Sequence, residues 1–336
     1  KNRGPRLKRF ALCLVLRKNV VLSLLGIALS VCLISPASGK PLIIEKGVIK
    51  HDSIWEKEVI IKGDVEIAKG ATLIVMPGTV IEFAKIEENS PAKLYESKDN
   101  HFPRAELIIR GKMFAQGTRD KMIVFTSAER FPCPAAWGAI NFLDTRDNII
   151  EFCEISYANT GVHCHGGQVT VANCYFHDNG VAIGQKNVKQ FQTRCIAAIL
   201  YNRITGNGGG ILFGNGTNPT ISHNQISNNK LFGIFGKKGT SFHVRYNNIV
   251  HNAKGVALYA MEGCQLSENN ISDNEDYNIS LLEGQISDVD ARRNWWGTTD
   301  EKKIRNLIWD KDEDETLGKL DFSDFTDIPV KEAGIP

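Results

Sequence analysis

IIEFCEI (149–155), VTVANCYF (169–176), IAAILYNRI (196–204), PTISHNQI (219–226), FHVRYNNI (242–249), CQLSENNI (264–271) and VDARRNWW (289–296) are seven copies of one pattern. Each is an apolar pair, then Asn or Cys, then one residue, then Ile, Phe or Trp. The Asn/Cys register runs Cys153, Cys174, Asn202, Asn224, Asn247, Asn269 and Asn294, in steps of 21, 28, 22, 23, 22 and 25. A period near 22 residues is one turn of a solenoid, which buries its apolar face only by stacking on the next turn.

Two columns of the alignment must face inward. One is Ile150, Val171, Ile199, Ile221, Val244, Leu266 and Ala291, and the other is the anchor column Ile155, Phe176, Ile204, Ile226, Ile249, Ile271 and Trp296. The apolar runs are too short and too β-branched for helices, and Gly and Asn punctuate them, so they read as short strands. A second Asn column, Asn179, Asn207, Asn229, Asn252 and Asn274, lies three residues past the anchor. Repeated Asn at a corner suits a left-handed turn. At a coil spacing of about 4.8 Å each amide also reaches its equivalent next door. Asn202, Asn224, Asn247, Asn269 and Asn294 are therefore expected to form a structural ladder.

These repeats resemble the right-handed parallel β-helix repeats of bacterial extracytoplasmic proteins, of pectate-lyase-like architecture. DVEIAKGATLIVMPGTVIEF (64–83) is similar to the opening coils of that family and ARRNWWG (291–297) to its closing coil. The resemblance covers roughly residues 58–325 and implies an all-β, single-stranded right-handed parallel β-helix of roughly ten coils with N- and C-terminal caps. It implies no one activity, because relatives include polysaccharide lyases, hydrolases and copper-site assembly proteins.

Residues 1–18 carry seven basic residues and no acid, ahead of the apolar run VVLSLLGIALSVCLI (20–34) and the small residues SPASG (35–39). This reads as a signal peptide over 1–37, or a retained anchor if uncleaved, and places the protein outside the cytoplasm: periplasmic, surface-bound or secreted. Whole-chain net charge is +2; without the leader it is about −5, which gives no indication of a nucleic-acid partner. The β-helix is expected over 38–297, with strands at Val59–Lys62, Val65–Ala68, Leu73–Met76 and Val80–Phe83 and with residues 41–63 covering its first edge. A short amphipathic helix carrying Ile304, Leu307 and Ile308, then an acidic tail, occupy 298–336.

Six cysteines follow the leader, without a CxxC or CxxCH. Cys153 and Cys174 share a column in consecutive coils, about 4.8 Å apart, inside the window a disulfide requires. A bridge and two buried thiols both stand as readings. Asp310, Asp312 and Asp314 alternate as in a calcium loop, but Glu315 occupies the place where an EF-hand needs Gly, so the run reads as solvated surface. The triplet His163, Cys164, His165, with His177 one coil later, has metal-binding residue types, but their coil positions disagree. No metal site is assigned.

Lys85–Arg104 is a long polar connection between two strands, read either as a mobile flap or as the wall of a groove. Three residues before the anchor stand Phe152, Asn173, Tyr201, His223, Tyr246, Glu268 and Arg293. Glu268 and Arg293 are too costly to bury unpaired, so the strand must bend and turn this column outward. Tyr201, His223, Tyr246, Glu268 and Arg293 then form a stripe suited to a linear polysaccharide, aromatic groups covering sugar rings and Arg meeting hydroxyls or carboxylates. The leading expectation is a binding or structural protein engaging polysaccharide; a polysaccharide lyase or glycoside hydrolase is the alternative, and metal-site assembly a second. No catalytic residue is assigned, since no carboxylate pair or base-plus-cation set stands out.

Overall fold

The structure, a computed structural model, describes residues 39–336 apart from positions 99, 240 and 241; the leader expected over 1–37 lies outside the described residues. The described chain winds through three parallel ladders. The first is a sheet of 10 strands, from Leu42–Ile44 to Asn270–Ser272. The second runs from Gly47–Ile49 to Ile308–Trp309, and the third from Ser53–Trp55 to Leu320–Asp321. The long strands Trp137–Glu151 and Ala158–Ala172 turn a corner and belong to both of these. Parallel strands joined by crossovers wind right-handed, and the chain is a right-handed parallel β-helix.

The register follows the repeat. Ile199 pairs with Ile221, Ile221 with Val244 and Val244 with Leu266. The anchors Ile155, Phe176, Ile204, Ile226, Ile249 and Ile271 pair in one continuous line. All ten of these side chains are fully buried. Stacking identical positions is what makes this core possible, because no coil encloses an apolar interior by itself.

Three features differ from the sequence reading. Residues 42–55 do not merely cover an edge: Leu42 pairs with Val59, Gly47 with Val65 and Ser53 with Leu73, which makes them a coil in their own right. At the other end the helix is only Glu301–Arg305, capped by Asp300, and Ile308 leaves it to pair with Ile279. Third, the left-handed residue at each corner is not the ladder Asn but the residue before it. Tyr201, His223, Tyr246, Glu268 and Arg293 all have φ between 57° and 60°. The preceding residue takes the strained conformation, and this aims the Asn side chain along the solenoid axis.

Asn202, Asn224, Asn247, Asn269 and Asn294 are fully buried, and each Nδ2 donates to the next Oδ1 at 3.0, 2.9, 3.0 and 3.0 Å. Each Oδ1 also accepts the backbone N–H of the residue before it in the column, Asn202 from Cys174 at 3.0 Å and Asn247 from Asn224 at 2.9 Å. Asn179, Asn207, Asn229, Asn252 and Asn274 are linked in the same way at the next corner. Corners cannot use strand hydrogen bonds, so these amides satisfy the backbone there.

Candidate functional site

The left-handed turn that orients the ladder also turns its neighbour out. Tyr201, at 37% exposure, stacks on His223 with centroids 4.7 Å apart, and His223 stacks on Tyr246 at 5.1 Å. The rings are nearly parallel, at 26° and 27°, so their faces are turned toward one another and solvent meets mainly their edges. Below them the Glu268 carboxylate accepts from Arg245 Nε at 3.0 Å. Burial pushes the Glu268 pKa up, but Tyr246 and Arg245 outweigh it and hold it below the usual carboxylate range. Arg293 is exposed at the foot of the stripe. The five expected residues therefore lie on one line.

A parallel row was missed. The residue just before each anchor forms a second outward line, in which Glu154 pairs with Tyr175, Tyr175 with Arg203, Arg203 with Gln225, Gln225 with Asn248 and Asn248 with Asn270. The signal was present in the same alignment, two positions past the stripe. The C-terminal segment lies along the lower part of this row: Val330 N donates to Asn270 Oδ1 at 2.8 Å and Gly334 N to Tyr246 O at 2.8 Å. Gly334 suits this place because its φ is 90°, a backbone conformation that side-chain-bearing residues rarely adopt.

At the upper end the two rows, with Arg119, Met122 and the C-terminal Ile335 and Pro336, line an open cavity of about 450 Å³. Tyr175 and Tyr201 offer aromatic surface, Phe152 and Met122 apolar surface, and Arg119 and Arg203 guanidinium groups. No carboxylate side chain lines it.

Beside this cavity, His177 is held between two carboxylates, Nε2 being 3.1 Å from Glu154 Oε1 and Nδ1 2.8 Å from Asp178 Oδ2. Tyr175 stacks on the imidazole at 4.5 Å. The Glu154 hydrogen bond, helped by Asp178 and opposed by burial, raises the His177 pKa, and Glu154 is correspondingly lowered. A histidine whose folded pKa is raised contributes stability that is complete below its unfolded value and is lost as pH rises through the folded one. The NMR titration midpoint of His177 should thus lie above 6.5. His177→Gln should destabilise the protein more at about pH 5 than at about pH 9, modestly because both carboxylate partners are partly exposed. A midpoint at or below the model-peptide value would contradict this arrangement.

The 85–104 connection is docked on the second sheet. Lys93 Nζ sits 3.4 Å from Asp64 Oδ1 and 3.8 Å from Glu106 Oε1, with both carboxylate side chains fully buried, and donates to Phe102 O at 2.6 Å. Leu94 N donates to Asp64 at 2.7 Å, and Asn141 Nδ2 to Glu106 at 2.7 Å. Phe102 packs edge-on against His163, which meets His165 at 4.1 Å. Burial, reinforced by Lys186, lowers His163 to about 3, and burial likewise depresses His165.

One further expectation is overturned by the structure. Asp310 is fully buried rather than solvated: Arg305 reaches it at 3.0 and 3.2 Å, and the backbone N–H groups of Asp312 and Leu320 donate to it. Cys153 and Cys174 are buried free thiols, each within reach of carbonyls of its own coil: Glu151 O at 3.4 Å and Ala172 O at 3.1 Å.

A family profile described as periplasmic copper-binding protein (NosD) matches residues 127–290, just under half of the chain. No curated protein matches significantly in sequence. Two solved structures of mutants of the periplasmic alginate epimerase AlgG are similar at 15% identity. One covers 86% of this chain and 78% of its own with a TM-score of 0.43, and the other 89% and 78% with a TM-score of 0.37. The ladders and the profile match define the class: this is an extracytoplasmic right-handed parallel β-helix repeat protein.

Proposed function

We propose that the protein binds an extended polysaccharide lengthwise along the face formed by the Tyr201–Arg293 stripe and the row beside it. The observation that carries this reading is the cavity at the upper end, where Tyr175 and Tyr201 stand beside Arg119 and Arg203. Aromatic surface covers the C–H faces of a pyranose, and guanidinium groups hydrogen-bond its hydroxyls or acidic substituents. Further down, the edges of the His223 and Tyr246 rings continue the face with one coil per step, beside the C-terminal segment that covers Asn248 and Asn270. Because the stacked faces of His223 and Tyr246 are occupied, the strongest ring contact belongs at Tyr201.

Copper binding, the property in the matched family's description, finds a poor donor set at the HCH triplet. Strand alternation places His163 and His165 on the outer face and Cys164 in the core, 1% exposed. The positive charge of Lys186 bears on both rings. Two imidazoles beside a cation, with their sulfur neighbour facing the other way, do not make a soft-metal site.

On a glycan array the intact protein should bind a defined polysaccharide class. Tyr201→Ala/Arg203→Ala should weaken that binding by roughly tenfold or more, and Tyr246→Ala/Arg293→Ala should also weaken it. An array with no signal, or signal unchanged in both double variants, would overturn the proposal.

A further inference from the structure

Within the solenoid, two cysteines far apart in sequence converge at one corner. Strand Ala158–Ala172 bends at Gly166, where φ is 62°. Past that bend Gln168 pairs with Ile196, which sets Cys195 opposite Gly167. Cys164 points back into the same corner: a Cβ on Gly167 would stand 3.6 Å from its Sγ. Cys195 Sγ lies 3.6 Å from the Cys164 carbonyl, and both cysteines are free thiols in the structure. Both residues are 1% exposed.

We propose that Cys164 and Cys195 form a disulfide in the exported protein, pinning the 187–195 excursion to the coil beneath it. Cys195 ends that excursion rather than sitting within a strand, so its Cβ can adjust to the torsion a bridge demands. Cys153 and Cys174 share one corner position in consecutive coils, where Cys174 Sγ accepts the Cys153 backbone N–H at 3.4 Å. The excursion has reason to be fixed: Cys195 N donates to Asn187 Oδ1 at 2.7 Å, Asn187 Nδ2 to Gly216 O at 2.9 Å and Thr193 N to Asp144 at 2.8 Å, tying it to two other coils.

The chemistry is thiol–disulfide exchange with a protein disulfide oxidant of the exported compartment. The Cys195 thiolate attacks the oxidant's disulfide, forming a mixed disulfide and releasing one oxidant thiolate. The Cys164 thiolate then attacks the Cys195 sulfur, closing the bridge and releasing the oxidant as a dithiol. Two cysteine thiols are oxidised and one oxidant disulfide is reduced, with the two protons accounted for on the dithiol. Both sulfurs are enclosed in the folded state, so the exchange takes place before the 187–195 segment closes.

The test is peptide mapping of the exported full chain, alkylated under denaturing conditions without reductant. A linked pair of peptides containing Cys164 and Cys195 is expected, lost on reduction and absent from Cys195→Ser. Reduction should lower Tm by about 5 °C or more, and reduction of Cys195→Ser should not. Complete alkylation of Cys164 and Cys195 in the unreduced wild type, or a link from either to another cysteine, would overturn the proposal. The wild-type map decides this even if the variant fails to fold.

Discussion

Lys93→Met is expected to destabilise the protein by about 3 to 5 kcal/mol, the cost of removing one partner from a buried charge cluster. Lys93 is 5% exposed in its side chain and faces two fully buried carboxylates, Asp64 and Glu106. Methionine matches its length but leaves those carboxylates without their ammonium, and only His101, 3.5 Å from Glu106, remains as a second cation when protonated. The damage should begin locally. Phe102 N donates to Glu106 and Leu94 N to Asp64, so hydrogen exchange at these amides should accelerate before global unfolding. Adding Glu106→Gln should recover part of the loss, since one uncompensated charge is then removed. An unchanged denaturant midpoint, with unchanged exchange at Leu94 and Phe102, would refute this account of the docked connection.

Asn247→Ala is expected to cost about 3 kcal/mol, at the upper end of what an unsatisfied buried polar group carries. The side chain accepts from Asn224 N and Nδ2 at 2.9 Å each, and donates to Asn269 Oδ1 at 3.0 Å and Ile221 O at 3.0 Å. Alanine leaves partners unsatisfied on both neighbouring coils, none of them within reach of water. Asn247→Asp should also destabilise, because a carboxylate cannot donate onward to Asn269. Urea denaturation monitored by circular dichroism reads both; a loss below about 0.5 kcal/mol for the alanine variant would mean the ladder amides are not what satisfies the corner.

The fold was legible because a solenoid writes its geometry as a period. Ile199, Ile221, Val244 and Leu266 recur at one coil position, and pairing follows from that alone. The ends were less legible. Residues 42–55 lack the Asn that marks the later coils, and Ile308 belongs to a helical pattern in sequence but is captured by Ile279 in space. The corner conformation was half readable: polarity said the Tyr201 column turns out, but the side chain that needs the left-handed neighbour was the Asn that follows it.

The candidate site divides in the same manner. The stripe is a column and can be read down an alignment, as could the Arg203 row had the adjoining column been weighed. The stacking of Tyr201 on His223 could not be foreseen, because equal spacing does not fix ring planes. Contacts that join different coil positions were out of reach as well. Glu154 meets His177 from 23 residues away and Lys93 meets Asp64 from 29, with no shared periodicity to announce either. Asp310 looked solvated by composition alone, and only the return of Leu320 and Arg305 onto it shows why it is buried.

The most direct measurement of the central claim is affinity electrophoresis of the full chain through gels containing single purified polysaccharides, run beside Tyr201→Ala/Arg203→Ala. The account predicts retardation of the wild type by at least one polysaccharide and near-normal migration of the variant, with the two proteins melting within about 2 °C of each other because the altered groups face outward. Equal retardation of both proteins, or a wild type that no polysaccharide slows, would contradict it.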